Sequence, residues 1–275
     1  MEELIDIGLN LMHSSFKKDR LEILKEASKV GVNQFIITGT NINSSEIACE
    51  FASKYPKTLF STSGVHPHDA KTCDETTLKT LESIAQEDCV VAVGECGLDY
   101  NRNFSHPKTQ REWFEKQVEL AECLNMPLFL HEREAHEDLH NILKKHDSVA
   151  EKCVIHCFTG NKAEAQNYID LGAYIGITGW ICDMKRGLDL QDAVKIIPED
   201  KLMIETDAPF LIPKNFDKKP KKNRNEPKYL PHILKTIAYF KNYENVDELA
   251  RQITNNTKKF FKTSKIGRAS CRERV

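Results

Sequence analysis

No run of this sequence approaches the roughly 20 apolar residues needed to span a bilayer. Its opening, MEELIDIGLN, lacks both the basic region and the unbroken apolar stretch of a signal peptide. A soluble protein with no membrane partner is therefore expected; it is further expected to be a monomer of the cytoplasm, with nuclear access in a eukaryotic cell. None of the nine cysteines falls in a Cys-x-x-Cys pair, which points to reduced thiols rather than disulfides. No Gly-x-Gly-x-x-Gly turn follows the first predicted strand, so nothing marks a dinucleotide site. Internal repeats and low-complexity tracts are absent as well.

Neither sign of charge dominates, with 39 basic and 41 acidic side chains giving a formal net charge of −2. The last ten residues, IGRASCRERV, back-translate to ATCGGAAGAGCGTCGTGTAGGGAAAGAGTG, a sequencing-adapter read, and are set aside as a scar with Cys271 inside it. Without this tail, 36 basic and 40 acidic side chains remain, and the charge is −4. The protein is no polycation, so attraction for nucleic acid must come from a local patch or a bound metal. One basic, proline-bearing loop spans Pro213 to Lys228, with Lys214, Lys218, Lys219, Lys221, Lys222, Arg224 and Lys228 against Asp217 and Glu226. From charge alone it reads equally as a solvated loop or a phosphate-facing patch.

What is present is an alternation of short β-rich runs and longer segments of helical periodicity. Strands are predicted near Leu4–Asn10, Gln34–Thr38, Thr58–Val65, Val90–Gly94, Pro127–Leu130, Cys153–Ile155, Tyr174–Thr178 and Leu202–Ile204. Helices fall between them, and two more follow near Tyr229–Phe240 and Val246–Phe261. Eight strand–helix repeats over residues 1–265 match a single-domain (β/α)8 TIM barrel, an α/β fold whose apolar fraction of 40% is adequate for a packed core. An open doubly wound sheet is the competing architecture.

Polar residues stand where the apolar runs end: Asn10, His66, Glu95, His131, His156, Glu205 and Asp207. Parallel strands present their C-terminal ends on one face, so such residues converge there. Glu95, His131, His156 and Asp207 form a mixed carboxylate and imidazole set that suits Mg²⁺, Mn²⁺ or Zn²⁺. A set without thiolate disfavours a structural zinc site. His66 reads as a substrate contact, and His68 as a cap for its loop. Arg133 and His136 stand where an anion would meet a helix start, although an ordinary surface Arg fits equally. Cys96 and Cys157 follow Glu95 and His156 directly and point to the opposite side of their strands, as packing residues. Trp180 and Phe158 are likewise assigned to packing.

These residues sit in nine ordered strings: DIGLNL, ITGTN, GVHPHD, VGECGLDYNRNFS, MPLFLHER, VIHCFTG, YIGITGWICD, IETDAPFL and RNEPKYLPHI. Together they resemble the TatD family of metal-dependent deoxyribonucleases, from Asp6 to about Phe261. The resemblance implies a TIM-barrel metallohydrolase of the metal-dependent hydrolase type that removes nucleotides from DNA in the 3′ to 5′ direction. It further implies a preference for single strands, dependence on one or two Mg²⁺ ions, and Glu95, His131, His156 and Asp207 at metal-binding positions. DNA repair, apoptotic DNA degradation and nucleotide salvage all use such chemistry. Two departures stand out. Gly8 and Asn10 occupy the places where many relatives of the wider superfamily carry the histidines of Asp-x-His-x-His, and Glu132 replaces the middle residue of His-Cys-Arg. Glu132 is expected to point away from the site.

The chemistry so implied is metal-activated hydrolysis, with Glu95 and Asp207 as catalytic carboxylates and Asp207 orienting water or taking its proton. His66 and Arg133 would meet phosphates. The alternative is a metallohydrolase of the same fold acting on an amide, lactone or aminoacyl ester.

Overall fold

The computed structural model describes residues 3–218, 220 and 222–263; the tail set aside above lies outside the described residues. Eight strands alternate with helices: β1 Leu4–Leu9, α1 Arg20–Ser28, β2 Val32–Ile37, α2 Ile42–Ala52, β3 Leu59–Ser63, α3 Thr77–Ala85, β4 Val90–Asp99, α4 Pro107–Leu124, β5 Leu128–Arg133, α5 His136–Leu143, a short α6 Asp147–Ala150, β6 Cys153–His156, α7 Lys162–Asp170, β7 Tyr174–Ile177, α8 Leu188–Ala193 and β8 Leu202–Ile204. Helices α9 Leu230–Phe240 and α10 Val246–Phe261 follow. The strands pair in parallel in sequence order, β1 through β8. Backbone bonds from Asp207 N to Gly8 O and from Asn10 N to Ala208 O, each 2.9 Å, draw the last strand back to the first. The result is a nearly closed (β/α)8 barrel, as the alternation predicts.

Strands covered on both faces read as continuous apolar runs, because neither face meets water. Every residue of β1 is buried, and so is every residue of β4. Side chains on one face pack against the helices, while Ile7, Ile36, Phe129, Val154 and Met203 form a separate cluster on the other, inside the barrel. Helix boundaries follow local chemistry. Asn41 and Asn161 each cap a helix with a reciprocal box that satisfies free amide groups at its start. Asn125, in the left-handed conformation, ends α4.

Two strands run further than their apolar residues indicate. β4 continues past Gly94 to Asp99, and β5 continues past Leu130 to Arg133, because the two pair through Gly97↔His131, Leu98↔Glu132 and Asp99↔Arg133. Ladder hydrogen bonds do not depend on side-chain polarity. This extension places Glu95 and His131 within rigid strands rather than on the loops after them.

Candidate active site

At the C-terminal mouth of the barrel, three imidazoles face one carboxylate oxygen. Glu95 Oε1 lies 3.4 Å from His66 Nε2, 3.0 Å from His131 Nδ1 and 2.8 Å from His156 Nε2. Glu95 is buried, and burial by itself would raise its pKa. The charges of His156 and His66 and the bonds from His131 and His156 instead hold it well below the usual carboxylate range. One oxygen opposite three nitrogen donors is an arrangement whose charge must be balanced by protons or by a cation.

The far side of each ring decides which nitrogens can ligate. His156 Nδ1 stands 3.3 Å from Glu205 Oε2, and His131 Nε2 stands 3.3 Å from Asp99 Oδ2. Imidazoles that bind metal commonly donate their other N–H to a carboxylate, which fixes the tautomer and raises ligand basicity. His156 has that support, and His131 has Asp99 beside its Nε2, which is buried without a formed bond. His66 differs: its Nδ1 accepts from the His68 amide at 3.1 Å, so the ring hydrogen sits on Nε2, the atom facing Glu95. Burial, partly offset by the Glu95 charge, lowers the His66 pKa and favours this neutral form.

By distance alone, His66, Glu95 and His131 could hold a metal ion, their ligand atoms all lying within 4.8 Å of one another. The hydrogen bonding makes Glu95, His131 and His156 the better-prepared ligands and His66 a donor beside them. The residues fit a divalent cation. Asp207 lies within electrostatic reach of His156, Glu205 and Glu95. Asn10 Nδ2 donates to its Oδ1 at 2.8 Å, and its own amide bonds to Gly8 O. Burial pushes the Asp207 pKa up to about 7, against the lowering effect of His156.

Arg133 ends β5 on the same strand face as His131, with its side chain exposed. Glu132 turns away, as expected: its carboxylate accepts from the Ala135 amide at 2.8 Å, at the start of α5. Cys96 is fully buried, while Cys157 donates its backbone N–H to Glu205 and sets its sulfur 3.8 Å from Thr178 Oγ1. His68 does not cap its loop. That role falls to His66, and His68 Nε2 reaches Asp99 Oδ2 at 2.7 Å. Among the described residues of the basic loop, Lys214 pairs with Asp183, Lys222 and Arg224 with Asp19, and Lys228 with Glu226.

Asp99 and Glu205, to which the sequence pattern assigns no role, stand behind His131 and His156. Asp99 lies four positions beyond Glu95 on the same strand, an even spacing that keeps one face and is legible in the sequence. Glu205 is fully buried, and its neighbours at the two glycines Gly8 and Gly176 explain how it fits. A Cβ at Gly8 would stand 2.0 Å from Glu205 Oε2, and one at Gly176 would stand 2.9 Å from Oε1. The absence of side chains on β1 and β7 makes room for the carboxylate behind His156.

Comparison with known proteins agrees with this architecture. The family model described as TatD-related DNase matches residues 5–262. A curated relative from Escherichia fergusonii, named 3′-5′ ssDNA/RNA exonuclease TatD, is 46% identical over 258 residues, covering 94% of this chain and 98% of its own. A solved TatD homologue from Escherichia coli K12 superposes with a TM-score of 0.85 at 28% identity, covering 94% of this chain and 98% of the other. A TatD family hydrolase from Entamoeba histolytica gives the same TM-score, identity and coverage. With nearly its whole length matched in sequence and in fold, and its strand ends carrying a carboxylate-backed imidazole pair around one glutamate, this chain belongs to the TatD-related DNase family.

Proposed function

We propose that this chain is a divalent-metal-dependent 3′–5′ exonuclease that hydrolyses phosphodiester bonds of single-stranded DNA and RNA. The observation that carries this reading is the meeting of His131 and His156, each backed by a buried carboxylate, at Glu95 Oε1. Its substrate class follows from the relative named as an exonuclease at 46% identity.

A divalent cation held by Glu95, His131 and His156, with Asp207 beside it, would polarise the scissile phosphoryl group and acidify water. The donors combine imidazole with carboxylate, so Mn²⁺ and Zn²⁺ suit the inner three and Mg²⁺ suits an arrangement richer in oxygen. Cellular Mg²⁺ is the ion proposed for turnover. Asp207 keeps Oδ2 for the proton of the attacking water, since Asn10 occupies Oδ1. His66 Nε2–H faces the Glu95 oxygen and, with a cation on Glu95, would donate to a non-bridging phosphate oxygen instead. Arg133 adds positive charge at the rim, where phosphate contacts make binding salt-sensitive. Attack at phosphorus forms the new P–O bond, breaks the bond to the leaving strand oxygen, and releases a nucleotide from the 3′ end.

A 5′-labelled single-stranded oligonucleotide should shorten progressively from its 3′ end. A chelator should stop this, and Mg²⁺, Mn²⁺ or Zn²⁺ should restore it. Glu95→Gln should lower the rate at least about 100-fold, the scale of losing one preorganised charge, while cooperative unfolding is retained. Hydrolysis of an amide, lactone or aminoacyl ester, with oligonucleotides left intact under all three metals, would move the assignment to that other reaction class.

A further inference from the structure

Beyond the catalytic cluster, the loops that follow β7 and β8 enclose a cavity of about 550 Å³, within the roughly 300–1,000 Å³ typical of small-ligand sites. Its walls include Trp180, Leu211, Pro213 and Phe216, with Arg186 and Lys214 among the lining residues. Pro209, also in the lining, is two residues beyond Asp207, so one wall starts within about 7 Å of the Asp207 backbone, the most that two extended residues can span. The cavity therefore lies near Asp207, on the same end of the barrel.

Its charges are held in place. Asp183 Oδ2 receives Arg186 Nε at 2.7 Å and Lys214 Nζ at 2.8 Å, so two cations share one carboxylate and leave a net positive wall. The Arg186 guanidinium lies 4.5 Å from the centre of the Trp180 ring. Phe216 is fixed against Tyr229 and His232, with ring centres 5.1 Å and 4.2 Å away. Flat aromatic walls with cations at fixed positions match a nucleobase and its flanking phosphate: every base presents a π-face for stacking, and phosphate pairs with guanidinium and ammonium. The smaller cavity on the opposite side of the barrel, lined by Asn41, Asp69 and Thr72, offers neither an aromatic ring nor a cation.

We propose that the cavity between the loops after β7 and β8 is a nucleotide subsite. Trp180 and Phe216 receive a base upstream of the scissile bond, and Arg186 and Lys214 receive its phosphate. The inference rests on the exonuclease reading and adds to it where the strand runs after leaving the metal-binding cluster. Stacking requires an unpaired base, so this subsite selects single strands.

The chain has two tryptophans, Trp113 and Trp180, so Trp113→Phe leaves Trp180 as the sole indole reporter. Titration with a short oligo(dT) in the presence of a chelator should change its fluorescence saturably, and a duplex of the same length should not. A kinetic arm compares kcat/KM for oligo(dT) with that for the 4-nitrophenyl ester of thymidine 5′-phosphate, which has no upstream base. Trp180→Ala should lower the ratio of the two about tenfold, the scale of losing one base–aromatic stack, and Trp180→Phe should restore most of it. An unchanged ratio in a folded Trp180→Ala protein, or a silent Trp180 signal with an active enzyme, overturns the subsite. Were the unsubstituted enzyme inactive on both substrates, the exonuclease reading would fall, and the fluorescence arm would still decide whether a strand binds here.

Discussion

Glu205 shows how much of this site depends on residues that do not themselves react. A fully buried carboxylate is costly unless it is bonded, and Glu205 accepts from the Cys157 amide and faces His156 Nδ1 at 3.3 Å. It can occupy that place only because Gly8 and Gly176 leave it space. Gly8, which cannot be a ligand, is thus required as an absence of side chain. Gly8→Ala would bring a methyl group to 2.0 Å from Glu205 Oε2, in an interior that cannot yield freely. The expected outcome is a loss of about 1–3 kcal/mol by urea denaturation, together with lower nuclease activity as Glu205 is pushed off His156. Unchanged stability would mean that the interior gives way without cost.

At the level of elements, the seam between the last and first strands is held by side chains reaching across it. Arg224, on the loop after β8, lies 2.5 Å from Asp19 Oδ2 and stacks its guanidinium 4.7 Å from the centre of the Phe16 ring. Lys222 adds a second bond to Asp19 at 2.9 Å. The bond from Arg224, opposed by partial burial and helped by Lys222, lowers the Asp19 pKa to about 2. A carboxylate depressed in the fold contributes stability above its unfolded pKa of about 3.9, and that contribution is lost as pH falls through about 2. Asp19→Asn should therefore destabilise by on the order of 1 kcal/mol at neutral pH. Melting curves of the two proteins should converge between about pH 4 and pH 2. A gap that persists to the lowest pH would assign the loss to something other than this ion pair.

For the whole molecule, the N-terminal end of the barrel is closed by α10. Phe260 and Phe261 join the interior cluster with Ile7 and Phe129, and the Phe260 ring packs 4.9 Å from Tyr174, the first residue of β7. Asn256 Nδ2 ties the same helix to Leu202 O at 2.9 Å. This plug lies at the opposite end of the strands from the cluster around Glu95. Phe260→Ala should cost about 3 kcal/mol or more by thermal or urea unfolding, while kcat at temperatures where the protein is folded stays near that of the parent. A large fall in kcat without a fall in stability would show that the two ends of the barrel are coupled.

The apolar runs and their spacing were enough to predict eight parallel strands in order, because burial on both faces leaves a nearly unbroken hydrophobic signature. The polar residues that interrupt those runs also marked the mouth of the barrel, where His66, Glu95, His131 and His156 meet. Strand length was not legible past the last apolar residue, since the backbone pairing of β4 with β5 continues through polar side chains. Trp180 read as packing, and only the folding of two loops against each other shows it lining a cavity with Arg186 and Lys214. The sequence by itself determined the periodicity, the fold class and the polar residues at the strand ends. Tertiary structure alone decided which nitrogen of each histidine is free, because that depends on Asp99, Glu205 and the His68 amide, groups brought to the rings by strand register and loop geometry.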